Sequence, residues 1–326
     1  MEFKKFPSLE NTYRQKEIDQ ALMVSDYYKQ NGKQTDWIVT EKVHGANFSF
    51  WLSSLDDSIN IQVAKRSGLI ESNEKFFNYR SVLEKYSKTL ISMYEKLGCK
   101  TLVVYGELFG GNIQSGMPYQ LDQDFVAFDV IVDGIAQKKT EIFSTLRSFD
   151  LPVVPVIGIF NTLKDALDTN ESFDSLLSRN EFDGKIEHKE AEGLVIEPND
   201  PMYAPNGSRI YLKKKTKRFV ENGGKQGAEN KSYITLSDQV RSLMQSSAEY
   251  ITESRFQSVV SKIGEVSIQD IGKVMGLMTQ DIIEDVEKDY SLDIKSWFKD
   301  KQDSKIYSKY LMRSVQDFIK PILLEM

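Results

Sequence analysis

The chain is 326 residues long, with 40% apolar and 28% charged residues, 8 Pro and 19 Gly, a composition that excludes disorder over most of the length and any collagen-like repeat. Its length predicts two domains, or one large domain with a smaller companion. The formal charge of −6 excludes a protein that coats nucleic acid by bulk positive charge, and leaves only local basic grooves for such a partner.

A lone cysteine, Cys99, cannot make an intrachain disulfide, and the opening Met1-Glu2-Phe3-Lys4-Lys5-Phe6-Pro7 lacks the apolar core of a signal peptide. No apolar run approaches the roughly 18 residues of a membrane span. These features predict a reduced, cytoplasmic protein with no membrane partner.

In chain order, alternating apolar runs predict strands at Ile38 to Thr40, Ala46 to Leu52 and Ile59 to Ala64. A long helix follows, with Tyr79, Leu83, Tyr86, Leu90, Tyr94 and Leu97 on one face and Gly98 as its stop. Further strands are expected at Leu102 to Leu108, Phe125 to Val132, Val153 to Phe160, Leu194 to Ile196 and Ile210 to Lys213. Strands out of register with helices predict an α+β fold of antiparallel sheets with flanking helices, not a doubly wound parallel sheet. No Gly-rich phosphate loop of the GxGxxG or GxxxxGK[ST] type is present.

The stretch Asn222-Gly223-Gly224-Lys225-Gln226-Gly227 is too polar and Gly-rich to build a core. It predicts a domain over residues 1–221, a linker over 222–235 and a small all-helical domain over 236–326. In that last part apolar residues recur at helical spacing, as in Val259, Ile263 and Val266 or Ile271, Val274 and Met275. Ser267-Ile268-Gln269-Asp270 reads as a capping box.

The strongest local motif is Glu41-Lys42-Val43-His44-Gly45, between two predicted strands, where rigid elements present a lysine able to act as a nucleophile. Chance gives Lys-x-His-Gly roughly 0.01 occurrences at this composition, a rarity that does not by itself prove function. The bland alternative is a solvated surface turn in which Gly45 supplies a positive φ. Downstream, Tyr211-Leu212-Lys213-Lys214-Lys215-Thr216-Lys217-Arg218 sets Lys213 and Lys215 on one strand face and Lys214 on the other. Such a run serves either an anion or a charged edge strand. Glu192, at the mouth of the apolar run Gly193 to Ile196, is a candidate metal ligand. Glu107 and Asp129 each place a carboxylate in an apolar strand and need a partner, unless they face solvent. Glu107 suits a ribose hydroxyl, Phe128 a stacked base, and Asp129 a lysine or a metal. Lys65-Arg66-Ser67-Gly68 is a basic turn suited to phosphate.

Taken in order, Lys42-Val43-His44-Gly45, Lys65-Arg66-Ser67-Gly68, Gly106-Glu107, Phe128-Asp129, Glu192-Gly193 and Lys213-Lys214-Lys215 resemble the motif series of the covalent nucleotidyltransferases. DNA ligases and capping enzymes of that superfamily usually carry Asp where this chain has His44, which resembles instead the RNA ligase 2 family of phage nick-sealing enzymes and RNA-editing ligases. Ser261-Lys262-Ile263-Gly264-Glu265 and Gly272-Lys273-Val274-Met275-Gly276-Leu277 look like the helical C-terminal domain of the phage enzymes. Thr40 departs from the pattern, since the phage relatives commonly have a basic residue there.

The resemblance implies a nucleotidyltransferase domain with an ATP-grasp-like ligase fold, and an ATP-dependent ligase that seals 3′-hydroxyl/5′-phosphate nicks in duplex RNA. It implies that Lys42 carries AMP, with His44, Lys213 and Lys215 as catalytic partners. Glu41, Val43, Asn47, Arg66, Glu107, Phe128 and Val195 join Lys42, Lys213 and Lys215 around the nucleotide, Phe128 and Val195 sandwiching the adenine. Glu192 holds magnesium or manganese, and Lys65, Arg66, Lys217 and Arg218 meet the RNA. Two neighbouring ammonium groups would ease the loss of the Lys42 proton. The partners are ATP and RNA, in a phage-infected or bacterial cell and with the chain as a monomer. The competing readings are a DNA nick ligase and a catalytically silent RNA-binding protein of the same fold.

Overall fold

The structure, a computed structural model, describes residues 2–33, 35–55, 58–114, 119–120, 122–178, 190–219, 238–298 and 301–326. The chain forms two compact units, residues 1–219 and 220–326. The expected linker at 222–235 lies outside the described residues.

The first unit runs β1 (Glu10–Asn11), α1 (Gln15–Gln30), β2 (Trp37–Lys42), β3 (Ala46–Leu55), β4 (Ser58–Lys65), β5 (Gly68–Leu69), α2 (Tyr79–Leu97), β6 (Thr101–Phe109), β7 (Asp124–Val132) and β8 (Ile135–Ala136). It continues with α3 (Lys139–Ser148), β9 (Val156–Phe160), α4 (Leu163–Leu167), β10 (Gly193–Pro198) and β11 (Leu212–Lys215). One sheet has the order β1-β11-β10-β2-β9 and the other β5-β4-β3-β6-β7-β8. The α+β class is as expected, but β1 pairs with β11 in parallel, so the first sheet is mixed and not wholly antiparallel.

Side-chain alternation gives each sheet two working faces. Phe48, Phe50, Phe125, Leu90 and Phe143 form a core between the six-stranded sheet and α2 and α3. Ala21, Val24, Trp37, Val39, Leu163 and Leu194 form a second core, covering the outer face of the five-stranded sheet with α1 and α4. Each such side chain contributes about 1.5–3 kcal/mol by leaving water. A smaller group, Phe6, Trp51, Val103, Tyr105 and Tyr211, lies on the other face of the six-stranded sheet. That leaves a cleft between the sheets in which polar residues gather.

The expected α2 face holds at Tyr79, Tyr86, Leu90 and Tyr94, and Gly98 caps it at φ +59°. Leu97 is exposed. The strand expected from Val153 begins at Val156, because Pro155 has no amide hydrogen to give a ladder. The strand expected at Ile210 to Lys213 lies two residues further on. Helix α1 was not expected, and its burial explains why: only Ala21 and Val24 are buried, while Leu22, Met23 and Tyr27 are exposed, which blurs the apolar period.

The described residues of the second unit form helices and no strand: α5 (Asp238–Ala248), α6 (Glu253–Ile263), α7 (Ile271–Tyr290), α8 (Ile294–Trp297) and α9 (Lys301–Glu325). Val259, Val274, Met278, Ile282, Tyr307, Leu311 and Val315 make its core. The Ser267 capping box is present, with the Ser267 amide donating to Asp270 Oδ2 at 2.9 Å. Three carboxylates one turn apart on α7 fasten it to the α6 region: Lys262 meets Asp281, Arg255 Nη2 lies 2.7 Å from Asp285, and Tyr250 donates to Asp289 at 2.5 Å. Among the described residues no helix is long and apolar enough to cross a membrane.

Candidate active site

Lys42 is the last residue of β2, and Val43-His44-Gly45 carries the chain from one sheet into β3 of the other. The turn is held by side chains from beyond β6. Tyr119 Oη accepts from the His44 amide at 2.8 Å, and Gln114 Nε2 donates to the Gly45 carbonyl at 3.2 Å. A Cβ on Gly45 would stand 2.2 Å from the Leu108 carbonyl oxygen and 2.7 Å from Glu107 Cγ. The glycine is therefore required by close approach to β6.

Strand register assembles the basic face. Gly193 of β10 lies across from Lys42 on one side and Lys215 on the other, and Val195 lies across from Thr40 and Lys213. Directly paired residues share a face, so Lys42, Val195, Lys213 and Lys215 line one side of this sheet. Lys214 takes the opposite side, as expected, donating to the carbonyls of Leu167 and Thr169 at 3.0 and 2.9 Å. Glu41 also points that way. Its carboxylate accepts from Ser175 Oγ and from the Leu176 amide at 2.9 Å, and burial raises its pKa against those two bonds. The structure does not bring the Glu41 side chain to the Lys42 face.

Glu192 is the hub of that face. Its Oε2 lies 2.7 Å from Lys42 Nζ and 3.3 Å from His44 Nδ1, and its Oε1 lies 2.9 Å from Lys215 Nζ. Burial pushes this carboxyl up, but Lys215, Lys42 and His44 outweigh it and hold Glu192 well below the ordinary carboxylate range. The His44 ring meets Phe219 edge-on at 4.9 Å. Gly193, at φ +146°, admits no side chain, since a Cβ would sit 2.1 Å from the Lys214 carbonyl oxygen.

The facing wall comes from the six-stranded sheet, where Asn47 of β3 pairs with Glu107 of β6. Burial pushes the Glu107 carboxyl up to about 8, with Lys42 pulling it down, Glu192 pushing it up and Arg66 pulling it down. These couplings place Glu107 within electrostatic reach of the Lys42 cluster. In Trp37–Lys42, Ala46–Leu52, Leu102–Phe109, Asp124–Val130 and Gly193–Pro198, the residues left half-open are Lys42, Asn47, Glu107, Phe128 and Val195. Phe128 rests edge-on against Phe6 at 4.9 Å.

The remaining basic residues divide. Lys65 pairs with Glu74 and sits over the Phe76 ring, so its charge is engaged within the fold. Arg66 lies at the cleft and donates to Ser8 Oγ at 3.2 Å. Lys217 and Arg218 are exposed on a short turn after β11. Val43 is buried in the core and does not line the cleft. Asp129 holds a lysine, Lys139 Nζ at 3.0 Å. Tyr119, Gln114, Ser175 and Lys139 support the site without any motif that would have announced them.

As a metal site, the described residues hold no cluster of three or more His, Cys, Asp and Glu. A magnesium or manganese ion that takes most of its ligands from substrate phosphates and water needs only one or two protein carboxylates; Glu192 is such a carboxylate, with its oxygens engaged here by Lys42, His44 and Lys215. It does not make a closed cage.

Residues 35–215 match a family model described as RNA ligase, and residues 234–317 one described as T4 RNA ligase 2 C-terminal. Among curated proteins, the mitochondrial RNA-editing ligase 2 of Trypanosoma brucei brucei is 39% identical over 84 residues, covering 24% of this chain and 20% of that protein. The mitochondrial RNA-editing ligase 1 of the same organism is 30% identical over 105 residues, 30% of this chain and 22% of that protein. The matches thus span about a fifth of the length of these relatives. Solved structures of a Naegleria gruberi RNA ligase are also similar. One with PPi has a TM-score of 0.47 at 18% identity, over 67% of this chain and 57% of that one. A variant with AMP and Mn has a TM-score of 0.46 at 18% identity over the same shares.

Proposed function

Because the chain belongs to the RNA ligase 2 family, we propose that it is an ATP-dependent RNA ligase that joins a 3′-hydroxyl to a 5′-phosphate through an adenylate on Lys42. The observation that carries this reading is the cleft itself: a lysine at the end of a rigid strand, gripped by Glu192 and facing half-open Asn47, Glu107, Phe128 and Val195.

In the first step Lys42 Nζ, having lost its proton, attacks the α-phosphorus of ATP; the new N–P bond forms as the P–O bond to pyrophosphate breaks. In the second, an RNA 5′-phosphate oxygen displaces Lys42, so that AMP is linked to the RNA end and the amine is released. In the third, the 3′-hydroxyl attacks that activated phosphorus, losing its proton, and AMP departs. Glu192 and His44 hold Lys42 in place, Lys213 and Lys215 present positive charge to the phosphates, and Phe128 and Val195 flank the base. Glu107 and Asn47 meet the ribose. Glu107 with a pKa near 8 keeps a proton at neutral pH and can donate as well as accept. Magnesium or manganese held by Glu192 would neutralise charge on the phosphoryl oxygens.

For the nucleic acid, His44 in the lysine motif and the helical C-terminal segment favour nicked duplex RNA over DNA, with Arg66, Lys217 and Arg218 on the backbone. The same reading has the chain acting as a monomer. Intact-protein mass with ATP and magnesium, against GTP and against Lys42→Ala, tests the chemistry: an ATP-specific adenylate on the wild type alone is expected. Competition between nicked RNA and nicked DNA duplexes then decides the substrate. A protein free of AMP as purified that takes up none would instead be a silent member of the fold.

A further inference from the structure

Behind the cleft lies a charged cluster with no part in the steps above. Lys139, the first residue of α3, is 1% exposed, and Asp129 of β7 and Glu197 of β10 are equally enclosed at 0% and 3%. Lys139 Nζ lies 3.0 Å from Asp129 Oδ1, 3.0 Å from Glu197 Oε2 and 2.6 Å from the Phe128 carbonyl oxygen, to which it donates. Arg209 pairs with Asp129 through its other oxygen, and Tyr211 Oη donates to the same oxygen at 2.9 Å. Two cations thus face two carboxylates: Asp129 is paired and hydrogen-bonded to Lys139, Arg209 and Tyr211, whereas Glu197 Oε2 has only the ion pair with Lys139 and no hydrogen bond, and burial raises its carboxyl above the ordinary range.

The cluster's place in the fold is what gives it meaning. Phe128 is next to Asp129, and Val195 is two residues from Glu197 on the same face of β10. Lys139 therefore touches, with one ammonium group, both of the strands that carry the two half-open apolar residues of the cleft. Those strands belong to different sheets and do not pair with each other; a backbone link between the sheets is at Ala127, whose amide donates to the Pro152 carbonyl and whose carbonyl accepts from the Val154 amide. Phe128 also sits where the register of β6 and β7 shifts, so the ladder alone does not fix its carbonyl.

We propose that Lys139 is a positioning residue for the nucleotide, its ammonium fixing the Phe128 backbone against Glu197 and so setting the gap between Phe128 and Val195 into which the base slides. The proposal rests on the adenylylation reading above. Lys139 does not touch the reacting atoms; it acts through Phe128 and β10. An aperture of the wrong width loses stacking on the base, which weakens nucleotide capture more than it slows attack by Lys42, whose amine is held by Glu192 and not by this cluster.

The test is the ATP dependence of adenylate formation, read by intact mass in quenched samples, for wild type, Lys139→Met and Lys139→Met/Glu197→Gln. The double variant leaves Asp129 opposite Arg209 as a neutral set. It thereby separates the lost grip on Phe128 from the burden of an unpaired buried carboxylate. We expect the half-saturating ATP concentration to rise about tenfold in both variants, with the maximal rate within twofold of wild type. A rise of less than threefold in the double variant, or a fall in maximal rate with half-saturation unchanged, overturns the proposal. Wild type that forms no adenylate fails the functional reading itself, before any variant is compared.

Discussion

Lys42 Nζ stands 2.7 Å from Glu192 Oε2, at the one half-open position of an otherwise buried strand. The lysine is thus held by a carboxylate that three cationic or titratable partners share. Glu192→Gln keeps the shape and removes the charge that orients Lys42, Lys215 and His44. Adenylate formation is expected to fall on the order of 100-fold, while Lys42→Ala and Lys42→Arg abolish it, since a guanidinium does not deprotonate. Quenched-flow mass spectrometry of the adduct checks all three; wild-type rates in Glu192→Gln would remove Glu192 from the machinery.

Gly193→Ala places a methyl group 2.1 Å from the Lys214 carbonyl at φ +146°. The strands must part to admit it, at a cost of about 1–3 kcal/mol, and Lys215 loses its place beside Glu192. The urea midpoint should drop and adenylation with it. An unchanged midpoint would show that β10 and β11 are looser than this register implies.

Stability should depend on pH through two carboxyls of opposite sign. Glu107 has a folded pKa near 8 against an ordinary 4.5, so ionising it costs folding free energy as pH rises from about 4.5 to 8. Glu107→Gln removes that cost. Its urea midpoint should therefore gain on wild type as pH rises through this window, and a constant gap would contradict the raised pKa of Glu107. Glu192, held below its ordinary value, contributes stability above pH 4.5 that is lost on further acidification, so Glu192→Gln should flatten the acid limb.

Arg255, 2% exposed, donates through Nε to the Tyr250 carbonyl at 3.0 Å and pairs with Asp285. Arg255→Met leaves Asp285 without that partner and is expected to cost about 3 kcal/mol. Hydrogen exchange across α6 and α7 should rise, while adenylate formation by the full chain stays within twofold. A loss of adenylation would mean that the helical unit contributes to the first step.

Much of the fold was legible because local patterns there agree with the tertiary outcome. The α2 stripe ends at Gly98 in a left-handed cap, and the alternation at Lys213, Lys214 and Lys215 holds. Helix α1 was hidden because its exposed Leu22, Met23 and Tyr27 carry no period. Asp129 was legible as a carboxylate in need of a cation. That its partner is Lys139 was not, because the first residue of a short helix gives no sign that it will be buried.

By itself, then, the sequence determined which residues are candidates for the chemistry and in what order they follow, since residue type, strand alternation and motif spacing are properties of the chain alone. Only the tertiary structure decided which of them meet. Lys42, Glu192 and Lys215 converge through the register around Gly193, Glu41 turns to the far face to bind Ser175 and Leu176, and Lys65 pairs with Glu74. A shift of one residue in strand pairing reverses every side chain, and burial is set by whatever segment lands opposite. Neither is encoded in any short stretch, so both belong to the packing of the whole unit.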